Sequence, residues 1–357
     1  MYKVAHFDKE EKYIYDFLGL PEKLYRPKEL TQNRQEVQAL LLGRHILSKY
    51  FKTEKIVVYD GTGNTSARCM LTIYPGDSTL YIGFFECIND KKCASTLFGW
   101  VESYARSHNF KNITGPVDAS FWVKYRLKTN MFDKPPYLSE PYNKDYYLNL
   151  FLGSKYTIKE KYVSNIFYKL PLIKYEKQKY KRRYEEFTRR GYKIISPKRK
   201  DFNVAIRQIY KLIMNLYSDF PIFKYISEED FCQHFKYFKD ILDMSMIKTA
   251  YYKGEMAGFF IGAPDYGNSL YFKLNLASYI KIFLKRLRSK NYVMLYMGVD
   301  KAHQGLGKAL VQTVIKNIHS KHSTAVGAFI QKGKITETYA EDSIASKYEY
   351  ALLIREL

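Results

Sequence analysis

At 357 residues, with 46% hydrophobic and 17% aromatic side chains, the chain is too long for one ordinary core and is expected to form two globular domains. No uncharged apolar run approaches the roughly 20 residues that cross a bilayer, and charges scattered through the opening residues leave no signal-peptide stretch, so a soluble, cytoplasmic protein is expected. The formal charge of +22 raises the question of an anionic partner, while Cys69, Cys87, Cys93 and Cys232 lack CxxC spacing and a histidine cluster and read as reduced thiols, with no zinc, other metal or disulfide framework.

The first half opens with a helical region that includes the apolar rhythm of 37–51. Short runs rich in β-formers at 55–59, 67–74 and 80–86, separated by turn residues, predict consecutive antiparallel strands. Helical periodicity over 91–108 follows, then Ile113, a loop-rich segment with Gly115-Pro116, Pro135-Pro136 and Pro141-Tyr142-Asn143, and a strand over 162–170.

The charge is concentrated just beyond. Residues 174–200 carry 12 basic and 3 acidic side chains, and Tyr180, Tyr184 and Phe187 recur at the spacing of one helical face. Two readings are open, a solvated amphipathic helix or a surface for an anionic partner such as RNA or a phosphorylated substrate.

The second half repeats the order of elements without repeating the sequence. A strand over 192–196, a helix over 203–217 and a capping-box pattern at Ser227-Glu228-Glu229-Asp230 come first. A hairpin at 248–252 and 256–261, a helix over 270–288 and a buried strand at 293–299 follow. A glycine turn leads into a helix from about Lys308; a strand at 325–330, a short helix at 335–341 and a terminal strand at 348–354 close the chain.

The strand-to-helix junction after Val299 carries the clearest chemical signal. Gly305 and Gly307 let backbone approach a ligand, and the helix beginning beside them aims free N–H groups and a positive dipole end into the turn, a site suited to phosphate. GxxxxGK[ST] is absent and no GxGxxG follows the strand, which removes support for nucleoside triphosphates and dinucleotides.

The junction resembles the coenzyme A motif of the GNAT superfamily, Q/R-x-x-G-x-G/A, here Gln304-Gly305-Leu306-Gly307-Lys308-Ala309. The flanking order of strands and helices is also similar to that family. The resemblance implies an α/β (α+β) fold of two GNAT-like domains, each a mixed, mostly antiparallel central sheet flanked by helices. It places a degenerate domain at 1–170, a basic linker helix and first strand at 171–200, and a catalytic domain at 201–357. The implied reaction is transfer of an acetyl group from acetyl-CoA to a primary amine by direct attack. Backbone amides of Gly305, Leu306, Gly307, Lys308 and Ala309, next to Gln304, would hold the pyrophosphate. The edge of Met297, Gly298 and Val299 would pair with pantetheine, with the Val299 N–H facing the thioester oxygen. Tyr339 stands where the family often has the tyrosine that protonates the leaving thiolate, although Lys332 replaces the usual asparagine seven residues earlier. Asp300, His303 and Glu255 are candidates for the base that deprotonates the amine.

The first-half junction, Cys87-Ile88-Asn89-Asp90-Lys91-Lys92, has no glycine and is expected to bind no coenzyme A. The proline-rich strings at 115–117, 135–136 and 141–147 are similar to those of a bacterial group of tandem GNAT-like proteins. Loops over 122–143 would either cover the substrate end of the second site or serve packing. Two alternatives stay open: a Fem-type aminoacyl-tRNA-dependent transferase, which has the same double architecture but does not need the glycine turn, and a module that binds coenzyme A without catalysis. The acceptor, a small-molecule or peptide amine, is not legible, and neither is the oligomeric state; nucleic acid is not the favoured partner.

Overall fold

The computed structural model describes residues 1–168, 174–218, 220, 222–272 and 275–357, with the side chains of 174–177 excepted. In chain order these residues form β1 (Lys3–Phe7), α1 (Glu11–Leu24), α2 (Arg34–Leu41), β2 (Lys52–Tyr59), β3 (Thr65–Ile73), β4 (Thr79–Cys87) and α3 (Lys91–Ser107). Then come β5 (Asn112–Gly115), the two-residue strands β6 (Val117–Asp118), β7 (Lys124–Tyr125) and β8 (Leu127–Lys128), α4 (Tyr147–Gly153), β9 (Thr157–Phe167) and α5 (Lys174–Arg189). The remainder is β10 (Lys193–Ile195), α6 (Phe202–Tyr217), α7 (Glu228–His234), α8 (Phe238–Ile241), β11 (Ile247–Tyr252), β12 (Glu255–Pro264), α9 (Leu276–Arg288), β13 (Asn291–Val299), α10 (Leu306–Ser320), β14 (Thr324–Gln331) and β15 (Ile344–Glu356).

Two compact units divide the chain, Met1–Tyr162 with Gly267–Lys273 and Glu349–Leu357, and Val163–Tyr266 with Leu274–Tyr348. The borders read from sequence follow one another simply along the chain. The units interleave instead, and the expected border at 170/171 lies outside the described residues.

In the first unit the strand order is β1-β2-β3-β4-β5-β15, antiparallel except for the parallel pair β4–β5, whose crossover is α3. In the second it is β10-β11-β12-β13-β14-β9, with β13–β14 the parallel pair and α10 the crossover. Each unit therefore holds a mixed, mostly antiparallel sheet with one βαβ unit, and the sheet-facing sides of α3 and α10 bury the core. Cys93, Leu97, Phe98 and Val101 of α3 pack on Ile56, Leu71 and Ile82. Leu306, Leu310 and Val314 of α10 pack with Ala257, Phe260 and Tyr292.

Several local expectations give way to backbone chemistry. Strand β1 has no counterpart among the elements read from sequence. The helix expected over 37–51 stops at Leu41, because Gly43 turns left-handed (φ +68°) and the His45 ring accepts the Leu47 N–H to start a 3-10 turn, Ile46–Tyr50. The helix expected over 270–288 begins only at Leu276, where Asn275 caps the Ser278 N–H at 2.9 Å; Lys273 and Leu274 lie outside the described residues. The short helix expected over 335–341 is two 3-10 turns interrupted by Ala340 at φ +53°. The strand expected over 162–170 starts earlier, at Thr157, and residues 169 and 170 lie outside the described residues.

Candidate active site

Helix α10 begins at Leu306, two residues earlier than the sequence suggests, with Gly305 at its N-terminus in the left-handed conformation (φ +91°). A glycine there has no side chain to satisfy the first amides, so the N–H groups of Leu306 and Gly307 remain directed outward along the helix axis, while the Lys308 N–H donates to the Gly305 carbonyl at 3.2 Å. The cradle is tight. A methyl group on Gly307 would lie 2.9 Å from the Tyr339 hydroxyl and 3.5 Å from the Met297 methyl, so only glycine leaves this space open.

The basic helix α5 packs against this end of α10. Tyr180 and Phe187 are buried in the core they share, and Tyr184 is half-buried against it, as their spacing predicts. A Cβ on Gly305 would sit 3.6 Å from the Phe187 ring and 3.8 Å from the Arg183 guanidinium carbon. The Lys308 ammonium is pushed below its usual range, first by burial and then by the cations Lys179 and Arg183. Three positive groups thus converge on a helix N-terminus that is itself electropositive. The sequence reading does not include Lys179 and Arg183 in the site, yet a signal exists: both lie at four-residue intervals before Phe187, on the face that the buried ring turns toward α10.

Strand β13 provides the second part. Its parallel register with β14 runs only from Asn291/Thr324 to Met294/Gly327. At that point the register with β12 skips Leu295, passing from Met294/Gly262 to Tyr296/Ile261, a bulge that bends the strand. Beyond it, Met297, Gly298 and Val299 pair with Phe260, Phe259 and Gly258 on one side, while the parallel register with β14 has ended on the other. The Asp300 N–H donates to the Ala257 carbonyl at 2.9 Å, toward β12. Since N–H groups alternate sides along a strand, those of Val299 and Met297 face the open edge. Gly298 lets Phe259 and Leu216 close over the opposite face, where a Cβ would meet them at 2.6 and 2.7 Å.

Tyr339 joins these two parts through its hydroxyl beside Gly307. Burial raises its pKa above the ordinary 10.0, its ring meets Tyr180 edge-on at 6.4 Å between centroids, and its hydroxyl has no hydrogen bond within the described residues. The candidate bases are placed less favourably. His303 Nδ1 is 2.7 Å from the Tyr192 hydroxyl and the ring is edge-on to Tyr192 and Tyr252, which braces the turn. Asp300 accepts the Ala302 N–H at 2.9 Å, capping the 3-10 turn Lys301–His303. Glu255 is exposed at the β11–β12 hairpin. Gln304 occupies the position before Gly305, and Ala309 is buried one residue into the core from Lys308. Lys332 is exposed.

The matching positions of the first unit are filled from within. At the N-terminus of α3, Asp90 accepts the Cys93 N–H at 2.8 Å, putting a carboxylate where an anion would have to sit. The Phe84 N–H donates to Asp118 at 2.6 Å, the Cys87 N–H to the Tyr147 hydroxyl at 3.0 Å, and the Tyr146 hydroxyl to the Cys87 carbonyl at 2.8 Å. Tyr147 in turn donates to Glu86 at 2.7 Å, and Tyr25 and Gln32 donate to the same carboxylate at 2.8 and 2.7 Å. Burial raises the Glu86 pKa, opposed by Arg68 and these hydroxyls. The Tyr147→Phe variant is expected to lose about 2 kcal/mol of stability, because it leaves a buried N–H unpaired and removes a donor from a buried carboxylate. A lower midpoint of urea unfolding would check this.

No protein-family model and no curated protein sequence matches the chain significantly. Solved structures do match in fold. A tandem GNAT protein from the clavulanic acid biosynthesis pathway superposes with a TM-score of 0.53 at 10% identity, covering 100% of this chain and 98% of that one. A GCN5-related N-acetyltransferase from Sphaerobacter thermophilus gives 0.50 at 11% identity, covering 99% and 95%, and one from Kribbella flavida gives 0.51 at 9% identity, covering 99% and 72%. With the same mixed sheet and the same parallel crossover present in each unit, the chain is a tandem GNAT-fold protein.

Proposed function

We propose that this chain is an acyl-CoA-dependent N-acyltransferase that moves an acetyl group from acetyl-CoA to a primary amine, using the second unit alone for chemistry. The observation that carries the reading is the meeting of an uncapped, glycine-started helix with the open edge of a bulged strand, under three converging cations. Acetyl-CoA, when bound, supplies the acyl group as an activated thioester. The amides of Gly305, Leu306, Gly307, Lys308 and Ala309, beside Gln304, would take its pyrophosphate, with Lys308, Lys179 and Arg183 adding charge. The edge of Met297, Gly298 and Val299 offers backbone groups to an extended amide-bearing chain, as a sheet edge does to an added strand. The Val299 N–H is aimed to stabilise developing negative charge on the acyl oxygen, and Tyr339 holds a proton at its hydroxyl for the departing sulfur.

Positive charge on α5 no longer argues separately for aminoacyl-tRNA, since Arg183 stands beside Gly305 where a phosphate would bind. Replacing Arg183 by alanine is expected to weaken acetyl-CoA binding roughly fivefold and to flatten its salt dependence, the effect of one partly exposed cation. Calorimetry across a salt series reads both. The function itself is tested by titrating acetyl-CoA into the full-length protein and then measuring free thiol release across a panel of amines. Absence of acetyl-CoA binding overturns the reading. Binding with no amine-dependent thiol release would leave a coenzyme A-binding module.

A further inference from the structure

Helix α9 is inserted between β12 and β13 and carries an apolar stripe that the fold does not bury. Leu276, Tyr279, Ile280, Phe283, Leu284 and Leu287 are between 48% and 77% exposed, whereas Ile282 is the one buried residue of the helix. At 100° per residue the six side chains cover roughly 140° of continuous helix surface. Scattered exposed apolar residues are ordinary, but a contiguous stripe on one helix marks an interaction surface.

What covers the stripe is indicated by charge. The sequence of α9, LASYIKIFLKRLR, contains no acid, and Lys281, Lys285 and Arg288 line one flank of the stripe, all exposed, with exposed Lys290 just beyond. The other flank rests on the protein through Ile282 and Arg286, whose guanidinium donates to the Asp240 carbonyl at 2.7 Å. A second copy of the same face would bring like charges together. A nucleic acid would satisfy the cations but leave six apolar groups in water. A surface both apolar and anionic satisfies both.

We propose that α9 is a membrane-surface anchor that lies in the interface of a bilayer containing anionic lipid. Its apolar stripe enters the acyl boundary, and the lysines and arginine reach the headgroups along their aliphatic stems. No described helix is long and apolar enough to cross a membrane, so the contact is one of adsorption. This inference does not depend on the acyltransfer reading.

The test is co-sedimentation of the full-length protein with vesicles of phosphatidylcholine alone and with about 30% phosphatidylglycerol at low salt. Wild-type protein is expected to bind the mixed vesicles at least tenfold more tightly than the neutral ones. The Ile280→Glu/Phe283→Glu variant should lose that binding, and Lys281→Glu/Lys285→Glu should lose the preference for anionic lipid. These side chains are exposed, so both variants should unfold at the wild-type temperature. The Phe283→Trp variant gives a second readout, a blue shift of its emission on mixed vesicles. No wild-type binding to mixed vesicles overturns the proposal, as does full binding by the Ile280→Glu/Phe283→Glu variant. A dimer seen by light scattering that the same variant abolishes, with no vesicle binding, assigns the face to a second copy instead.

Discussion

Replacing Gly307 with tryptophan is expected to weaken acetyl-CoA binding by more than about 100-fold, beyond ready detection by calorimetry. The glycine sits at the second position of α10, and the space beside its Cα is bounded by the Tyr339 hydroxyl and the Met297 methyl. An indole there occupies the volume in front of the outward amides. Each charge-assisted hydrogen bond denied to a phosphate costs about 1.5–3 kcal/mol, so loss of two suffices for the stated effect. A smaller change separates blockage from misfolding. The Gly307→Ala variant adds only a methyl, which meets the Tyr339 hydroxyl at 2.9 Å, and is expected to bind about tenfold more weakly. Removing that hydroxyl as well, in Gly307→Ala/Tyr339→Phe, should restore affinity to within about threefold, since the two changes share one contact. If Gly307→Trp folds and still binds acetyl-CoA as wild type does, the site is not at this helix.

The degree to which this site can be read from sequence depends on what each signal encodes. The glycine turn and the strand before it are legible because backbone approach to a phosphate needs those residue types at that spacing. The opening of β13 is not, because it follows from a register skip at Leu295 and an early end to pairing with β14, both properties of neighbouring strands. Arg183 and Lys179 are visible as charge, but only the burial of Phe187 against α10 says which face of α5 looks at the turn. Helix α9 shows the same limit more sharply. Its period announces an apolar face, and periodicity carries no information about whether protein or something else covers that face. The terminal strand is likewise legible as a strand, yet Glu349–Leu357 counts with the first unit, since strand propensity does not specify which sheet is joined.

Tyr339→Phe is expected to lower kcat by about 10²-fold while leaving the KM for acetyl-CoA within about twofold, because a phenyl ring keeps the packing against Tyr180 and removes only the proton donor. Donors in general acid catalysis contribute roughly 10²–10⁴, and the environment of this tyrosine selects the lower end. Burial raises its pKa above 10.0, and a thiol ionises near about 8.5, so proton transfer to a fully formed thiolate runs uphill and helps only as the carbon–sulfur bond stretches. The sign of the pH dependence follows. With a raised pKa the phenol keeps its proton through neutral and mildly alkaline solution, so Tyr339 contributes no alkaline fall in kcat until the pH exceeds its ordinary 10.0. Deprotonation of the acceptor amine should give a rising limb at lower pH that survives in the variant. A kcat within about threefold of wild type would show that water donates the proton. An alkaline limb near pH 8 that disappears in Tyr339→Phe would mean that the phenol is acidified in the working enzyme, contrary to its burial here.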